Sequence, residues 1–286
     1  MRPLSLTLLL LSAGLLSCDK AAAHAAEHGA SASSSAHGAA SASHDAPGGA
    51  HGHAPAANGG HQAAESKLPV PFIGEPGSLD VAKGFMRAML GDNESFVSGH
   101  PTGHFQPFVA AEKPRATLLA CADSRVQANA LVKGAENDLF TVRNLGNQFK
   151  TAEGSVLYGV EHLATSVLLI LGHSGCGAVK AAMGPHTDLE GPIKVEIDGI
   201  VVPPRKPGSN DGDALTEAVV ANVHDQVRAA TTRFADRVRE GRLVIVGAVY
   251  DFRNDLKQGF GRVTVVNVNG TSDPAAITAF TKAVEK

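Results

Sequence analysis

The residues with most chemistry in this chain fall in two short segments about fifty positions apart, Cys121-Ala122-Asp123-Ser124-Arg125 and His173-Ser174-Gly175-Cys176-Gly177. Two thiols and an imidazole form a ligand set that zinc prefers, and the carboxylate of Asp123 offers a fourth donor. His173 and Cys176 are three positions apart, so one turn can present both to a single ion. Beside such a site, Asp123 and Arg125 would form an acid–base group with a cationic partner. Two blander arrangements use the same residues. One is a Cys121–Cys176 disulfide, and the other is a local Asp123–Arg125 ion pair with both cysteines as small core residues.

Each segment follows an apolar run that reads as a buried strand, Ala116–Ala120 and Val167–Leu171. Both therefore sit where a strand gives way to a loop, and in an open parallel sheet ligands gather outside the carboxyl ends of strands. If the two strands are neighbours, Cys121, His173 and Cys176 meet. Glycines at 172, 175 and 177 allow a tight turn there.

The elements around these segments alternate. Strands are predicted at Ala116–Cys121, Asp138–Val142, Ser166–Gly172, Leu243–Tyr250 and Arg262–Val268. Helices are predicted at Gln127–Val132, Gly154–Ala164, Gly177–Ala182, Asp213–Arg239 and Pro274–Glu285. This is the pattern of an α/β fold with a mostly parallel central sheet covered by helices on both faces. Lys194 to Val202 alternates about Asp198-Gly199, which predicts a surface hairpin over Ile193–Val202. Ahead of the sheet, Ser78 can cap a helix from Leu79. There Leu79, Ala82, Phe85, Met86, Met89 and Leu90 share one face, suited to packing on a second subunit.

The chain has 286 residues, 43% of them hydrophobic, so a sizeable core is possible. A net charge of -3 with no basic block excludes a nucleic-acid binder, and the absence of Trp leaves few stacking platforms. Arg2 followed by the apolar stretch Leu4 to Leu16 reads as a signal peptide over residues 1–18, too short to span a bilayer. Leu15-Leu16-Ser17-Cys18 resembles a bacterial lipobox, which predicts an exported, periplasmic protein held to a membrane only through a lipid on Cys18. Lipidation would consume one of three cysteines, leaving the two in the motifs. Residues 19–67 are rich in Ala, Gly, Ser and His, and this composition predicts a disordered tether. Such a tether spans on the order of 40 Å. It contains seven of the thirteen histidines, which suit either a soluble spacer or weak metal capture. The globular domain is expected over 68–286.

At this point the motifs resemble a known family, the β-class carbonic anhydrases. The resemblance lies in Cys121-Ala-Asp123-Ser-Arg125-Val and Gly172-His173-Ser-Gly-Cys176-Gly-Ala. It continues in Arg143-Asn144-Leu-Gly146-Asn147, Gly154-Ser155-Val-x-Tyr158-x-Val-x-His162-Leu, Ala221-Asn222-Val223 and Val246-Gly247-Ala248-x-Tyr250-Asp251. It implies one Zn2+ per chain on Cys121, His173 and Cys176. Asp123 would bind the metal in a closed state and pair with Arg125 in an open one. It further implies reversible hydration of carbon dioxide to bicarbonate by zinc-bound hydroxide, in a homodimer or larger homo-oligomer. The family places a glutamine nine residues before the first cysteine, where this chain has Glu112, with Gln106 nearby.

Three other functions use the same residues. They are hydrolysis of a carbon dioxide analogue such as carbon disulfide or carbonyl sulfide, zinc storage by a lipoprotein, and thiol–disulfide exchange. Storage would need no Asp123–Arg125 pair, and exchange proteins usually carry Cys-x-x-Cys, which is absent.

Overall fold

The computed structural model of the chain describes residues 77–285. The signal peptide and the tether predicted over residues 1–67 lie outside the described residues.

Five strands form one sheet in the order β2-β1-β3-β4-β5. They are β1 (Ala116–Cys121), β2 (Leu139–Asn144), β3 (Val167–His173), β4 (Val244–Asp251) and β5 (Arg262–Val268). The first four strands in this order run parallel, and β5 pairs antiparallel with β4 at the edge. The apolar β1 and β3 are central and adjacent, with Ala120 opposite Leu171, so their carboxyl ends open side by side. This adjacency brings the two motifs together.

Alternate residues of these strands feed two cores, as a two-residue side-chain period requires. Leu119, Leu168, Ile170 and Ile245 join the larger core with residues of helices α3 (Phe149–Leu157) and α6 (Asp211–Arg233). Leu118, Ala120, Leu171 and Ala248 join a smaller core around Val126. At 25–30 cal/mol per Å2, each fully buried Leu or Ile in these layers contributes about 2 kcal/mol.

Several boundaries differ from expectation for identifiable reasons. β2 runs on to Asn144, which carries Arg143 alongside the end of β1. The predicted helix over Gln127–Val132 is only a 3-10 turn at Ala128–Ala130. α3 starts earlier than predicted and runs into a π turn at Tyr158–His162. The long helix begins at Asp211, where the Asn210 side chain accepts the Asp213 N–H at 3.0 Å. It breaks at buried Phe234, and α7 (Ala235–Arg239) follows.

The predicted hairpin over Ile193–Val202 is instead a helix, α5 (Gly191–Asp198). Pro192 starts it, and Gly199 ends it with a negative φ, not the positive φ of a hairpin turn. The same alternating residues also place Ile197 and Ile200 on one side, and both are buried in the larger core. A short helix, α4 (Gly177–Ala182), follows the second motif.

Ahead of the sheet lie α1 (Leu79–Gly99), capped by Ser78 as expected, and α2 (Thr102–Ala110). Neither buries a residue in this chain, and α1 exposes Leu79, Phe85, Met86, Met89 and Leu90. α8 (Pro274–Val284) closes the described chain.

Candidate metal centre

Cys121 ends β1, His173 ends β3, and Cys176 precedes the first residue of α4. Strand adjacency and one turn thus put three ligand atoms within 4.8 Å of one another. All three residues are buried, with His173 at 0% exposure.

The turn between His173 and Cys176 is tightly held. Gly175 has φ +63, and a Cβ there would lie 2.7 Å from the Arg253 guanidinium. A Cβ on Gly172 would lie 2.6 Å from Val223 of α6. Ser174 donates its N–H to the Tyr250 carbonyl at 3.1 Å, and its Oγ accepts the Arg253 N–H at 3.2 Å.

His173 shows what the pocket is built to accept. Its Nδ1 lies 3.1 Å from the Ser174 carbonyl, which can only accept, so Nδ1 carries the proton. Nε2 therefore presents a lone pair, and it is buried with no hydrogen-bond partner among the described residues. An orphaned lone pair among two sulfurs is costly unless an ion satisfies it.

Cys121 and Cys176 are free thiols with sulfurs 4.0 Å apart, not the disulfide that was one alternative for the pair. The Cys176 thiol donates towards Cys121 and pulls the latter's pKa well below the ordinary thiol range. Backbone N–H groups of Gly146 and Asp123 add to this. The same interaction pushes the Cys176 thiol up, and burial adds to it. Two buried thiols this close to each other and to an imidazole nitrogen form a place that a divalent cation fills better than their protons do. The donor set, the orphaned nitrogen and the close approach of the two sulfurs all fit zinc.

Asp123 lies beside this pocket, with Oδ2 3.8 Å from His173 Nε2, yet both its oxygens are engaged elsewhere. Arg125 donates from Nε to Oδ1 at 2.9 Å and from Nη2 to Oδ2 at 2.7 Å, and its backbone N–H reaches Oδ1 at 3.0 Å. These bonds hold the Asp123 carboxyl well below the usual carboxylate range, so it is ionised at neutral pH.

Two partners were not singled out by residue type alone. Arg143 of β2 donates to the carbonyls of Cys121, Asp123 and Val126 at 2.6–3.0 Å, clamping the loop after β1. Its segment was marked in the sequence by the Arg143-Asn144-Leu-Gly146-Asn147 motif, but the strand predicted there stopped at Val142, so its reach to the loop was not. The misread α5 also serves the site. Glu196 accepts the Leu145 N–H at 2.7 Å, and Gln148 bonds the Glu196 carbonyl. Together they brace the loop whose Gly146 N–H reaches the Cys121 sulfur. Glu112 and Gln106 are exposed, and neither joins the hydrogen bonds around the site.

The geometry agrees with relationships to known proteins. The family model described as carbonic anhydrase matches residues 116–257, from the start of β1 to just past β4. Carbonic anhydrase 2 of Mycobacterium tuberculosis is 33% identical over 193 residues, covering 62% of this chain and 93% of the relative. A carbonic anhydrase of Mycolicibacterium smegmatis is 30% identical, covering 62% and 94%. Among solved structures, a Coccomyxa β-carbonic anhydrase in complex with acetazolamide superposes with TM-score 0.52 at 23% identity, covering 71% and 92%. A tetrameric β-carbonic anhydrase of Sordaria macrospora gives TM-score 0.53 at 19% identity, covering 65% and 98%. These two show a shared fold. The sequence relationship spans nearly all of the mycobacterial proteins and includes the strands that end in Cys121 and His173, so the chain belongs to the β-class carbonic anhydrases.

Proposed function

We propose that this carbonic anhydrase interconverts carbon dioxide and bicarbonate with zinc on Cys121, His173 and Cys176, and with Asp123 switching between metal and Arg125. Zinc is the metal of the family, and when bound it lowers the pKa of water from 15.7 towards about 7, supplying hydroxide near neutral pH. The observation that carries the proposal is Asp123 itself. Its Oδ2 is 3.8 Å from a ligand nitrogen, while both its oxygens are turned to Arg125. Arg125 thus keeps the carboxylate ionised and off the metal. The remaining lone pairs of Asp123 accept the hydrogen of a reacting water and turn its free pair towards the carbon of carbon dioxide. Hydration yields bicarbonate and one proton, which solvent or buffer carries away.

The test is stopped-flow hydration of carbon dioxide by zinc-loaded protein with and without Asp123→Ala. General acid–base and orienting roles are worth about 10^2–10^4-fold, so a loss of at least about 100-fold is expected, with zinc content unchanged. Wild-type rates in the variant would overturn the role of Asp123.

The exposed apolar face of α1 supports assembly with a second copy, consistent with the tetramer seen in the Sordaria macrospora protein. Light scattering on the purified chain checks this. The Leu15–Cys18 segment supports export and lipid attachment, checked by incorporation of labelled palmitate at Cys18.

A further inference from the structure

The loop after β4 touches both halves of the site through one side chain. Phe252 stacks on His173, with ring centroids 5.9 Å apart and planes 24° from parallel. The Arg125 guanidinium lies over the same ring, its Cζ 4.8 Å from the centroid. Tyr250 packs edge-on against Phe252 at 5.6 Å.

Phe252 is itself pinned on both sides. Asp251, fully buried, accepts the N–H groups of Asp255 and Leu256 at 2.9 and 2.7 Å. Arg253 donates its N–H to Ser174 Oγ within the turn between the two ligands. The ring therefore has a fixed place relative to both His173 and Arg125.

Accepting the Asp123 switch of the preceding section, we propose that Phe252 is a positioning residue that sets its balance. The face of the ring attracts the guanidinium and holds it where its fork meets Asp123. Without an aromatic face, Arg125 regains the rotamer freedom of an exposed side chain, and Asp123 is released towards the metal. Phe252 contacts Arg125 directly, and through it would act on Asp123.

An anion that competes with Asp123 for the metal reads this balance directly. The experiment uses the full chain loaded with Co2+, titrated with thiocyanate and followed by visible absorption, with thermal unfolding as a check on folding. Phe252→Leu should weaken thiocyanate binding about threefold to tenfold, the range expected for losing a partly exposed cation–π contact. Phe252→Tyr keeps the ring and should stay within about twofold. If Phe252→Leu does not fold, Phe252→Met makes the same test. Asp123→Asn alone should strengthen thiocyanate binding, and in that background the effect of Phe252→Leu should vanish.

Wild-type affinity in Phe252→Leu overturns the proposal. An undiminished loss in the Asp123→Asn background does too, because Phe252 would then act on the metal through His173. If Asp123→Asn leaves thiocyanate affinity unchanged, the switch itself is wrong and the proposal falls with it.

Discussion

The loops after β1 and β3 both bring a thiol to the same pocket, but they are built in opposite ways. The loop after β3 is buried, with His173, Ser174 and Cys176 at 0%, 3% and 1% exposure. Its turn is fixed by Gly175, Tyr250 and Arg253, so it has one arrangement. The loop after β1 is buried at its ends, Cys121 and Val126, and leaves Arg125 between them with half of its side chain exposed. It is held from outside by Arg143 through backbone carbonyls, and the Asp123 and Arg125 side chains take no part in that clamp. One loop supplies two of the candidate ligands, while the other supplies the third and carries the carboxylate proposed to switch.

The sharpest way to break this comparison is to remove the metal's only nitrogen ligand. Supporting residues of metal sites are worth about 10–100-fold in affinity, so losing a direct ligand through His173→Ala should cost more than about 100-fold. Zinc content after dialysis against a chelator measures this. Full retention of zinc would show that the loop after β3 is not the holding half. Next in size is the clamp on the other loop. Arg143→Met takes the guanidinium away from the carbonyls of Cys121, Asp123 and Val126, of which Asp123 keeps the Val126 N–H, and should cost about 1–3 kcal/mol of stability by urea unfolding. Arg143→Lys should recover only part of that loss, because an ammonium lacks the guanidinium fork. The smallest effect is expected at Gly175→Ala, which forces a side chain onto a positive φ. The cost should be about 1 kcal/mol, because the Arg253 guanidinium that a Cβ meets can swing aside. A gain in stability there would mean the turn is not fixed by its glycine.

Legibility of these features in the sequence followed the range of the interactions behind them. The ligand set was readable because Cys, His, Asp and Arg announce their chemistry by type, and the apolar runs before them fixed strand ends. The Asp123–Arg125 pair was readable because it is local. α5 was misread because Lys194 to Val202 fits both a two-residue and a helical period. Contacts made far along the chain chose between them, with Ile197 in the core and Glu196 on Leu145 N–H. The roles of Arg143 and Phe252 were invisible for the same reason. Arg143 acts about twenty residues from its acceptors through strand pairing. Phe252 acts on His173 and Arg125 only because β4 lies beside β3, with Tyr250 opposite His173.

The pairing of Ala120 with Leu171 has a consequence for how the protein reaches its working state. Side chains along a strand alternate faces, so Cys121 follows Leu119 onto the face of the larger core while His173 follows Leu171 onto that of the smaller one. A slip of one residue between β1 and β3 would send each apolar side chain to the wrong core. The candidate ligands meet because β1 and β3 end at the same level of the sheet, and that level is set by the buried leucines and isoleucines of the two strands. A chain with these strands out of step would carry all three ligand residues and still lack the pocket.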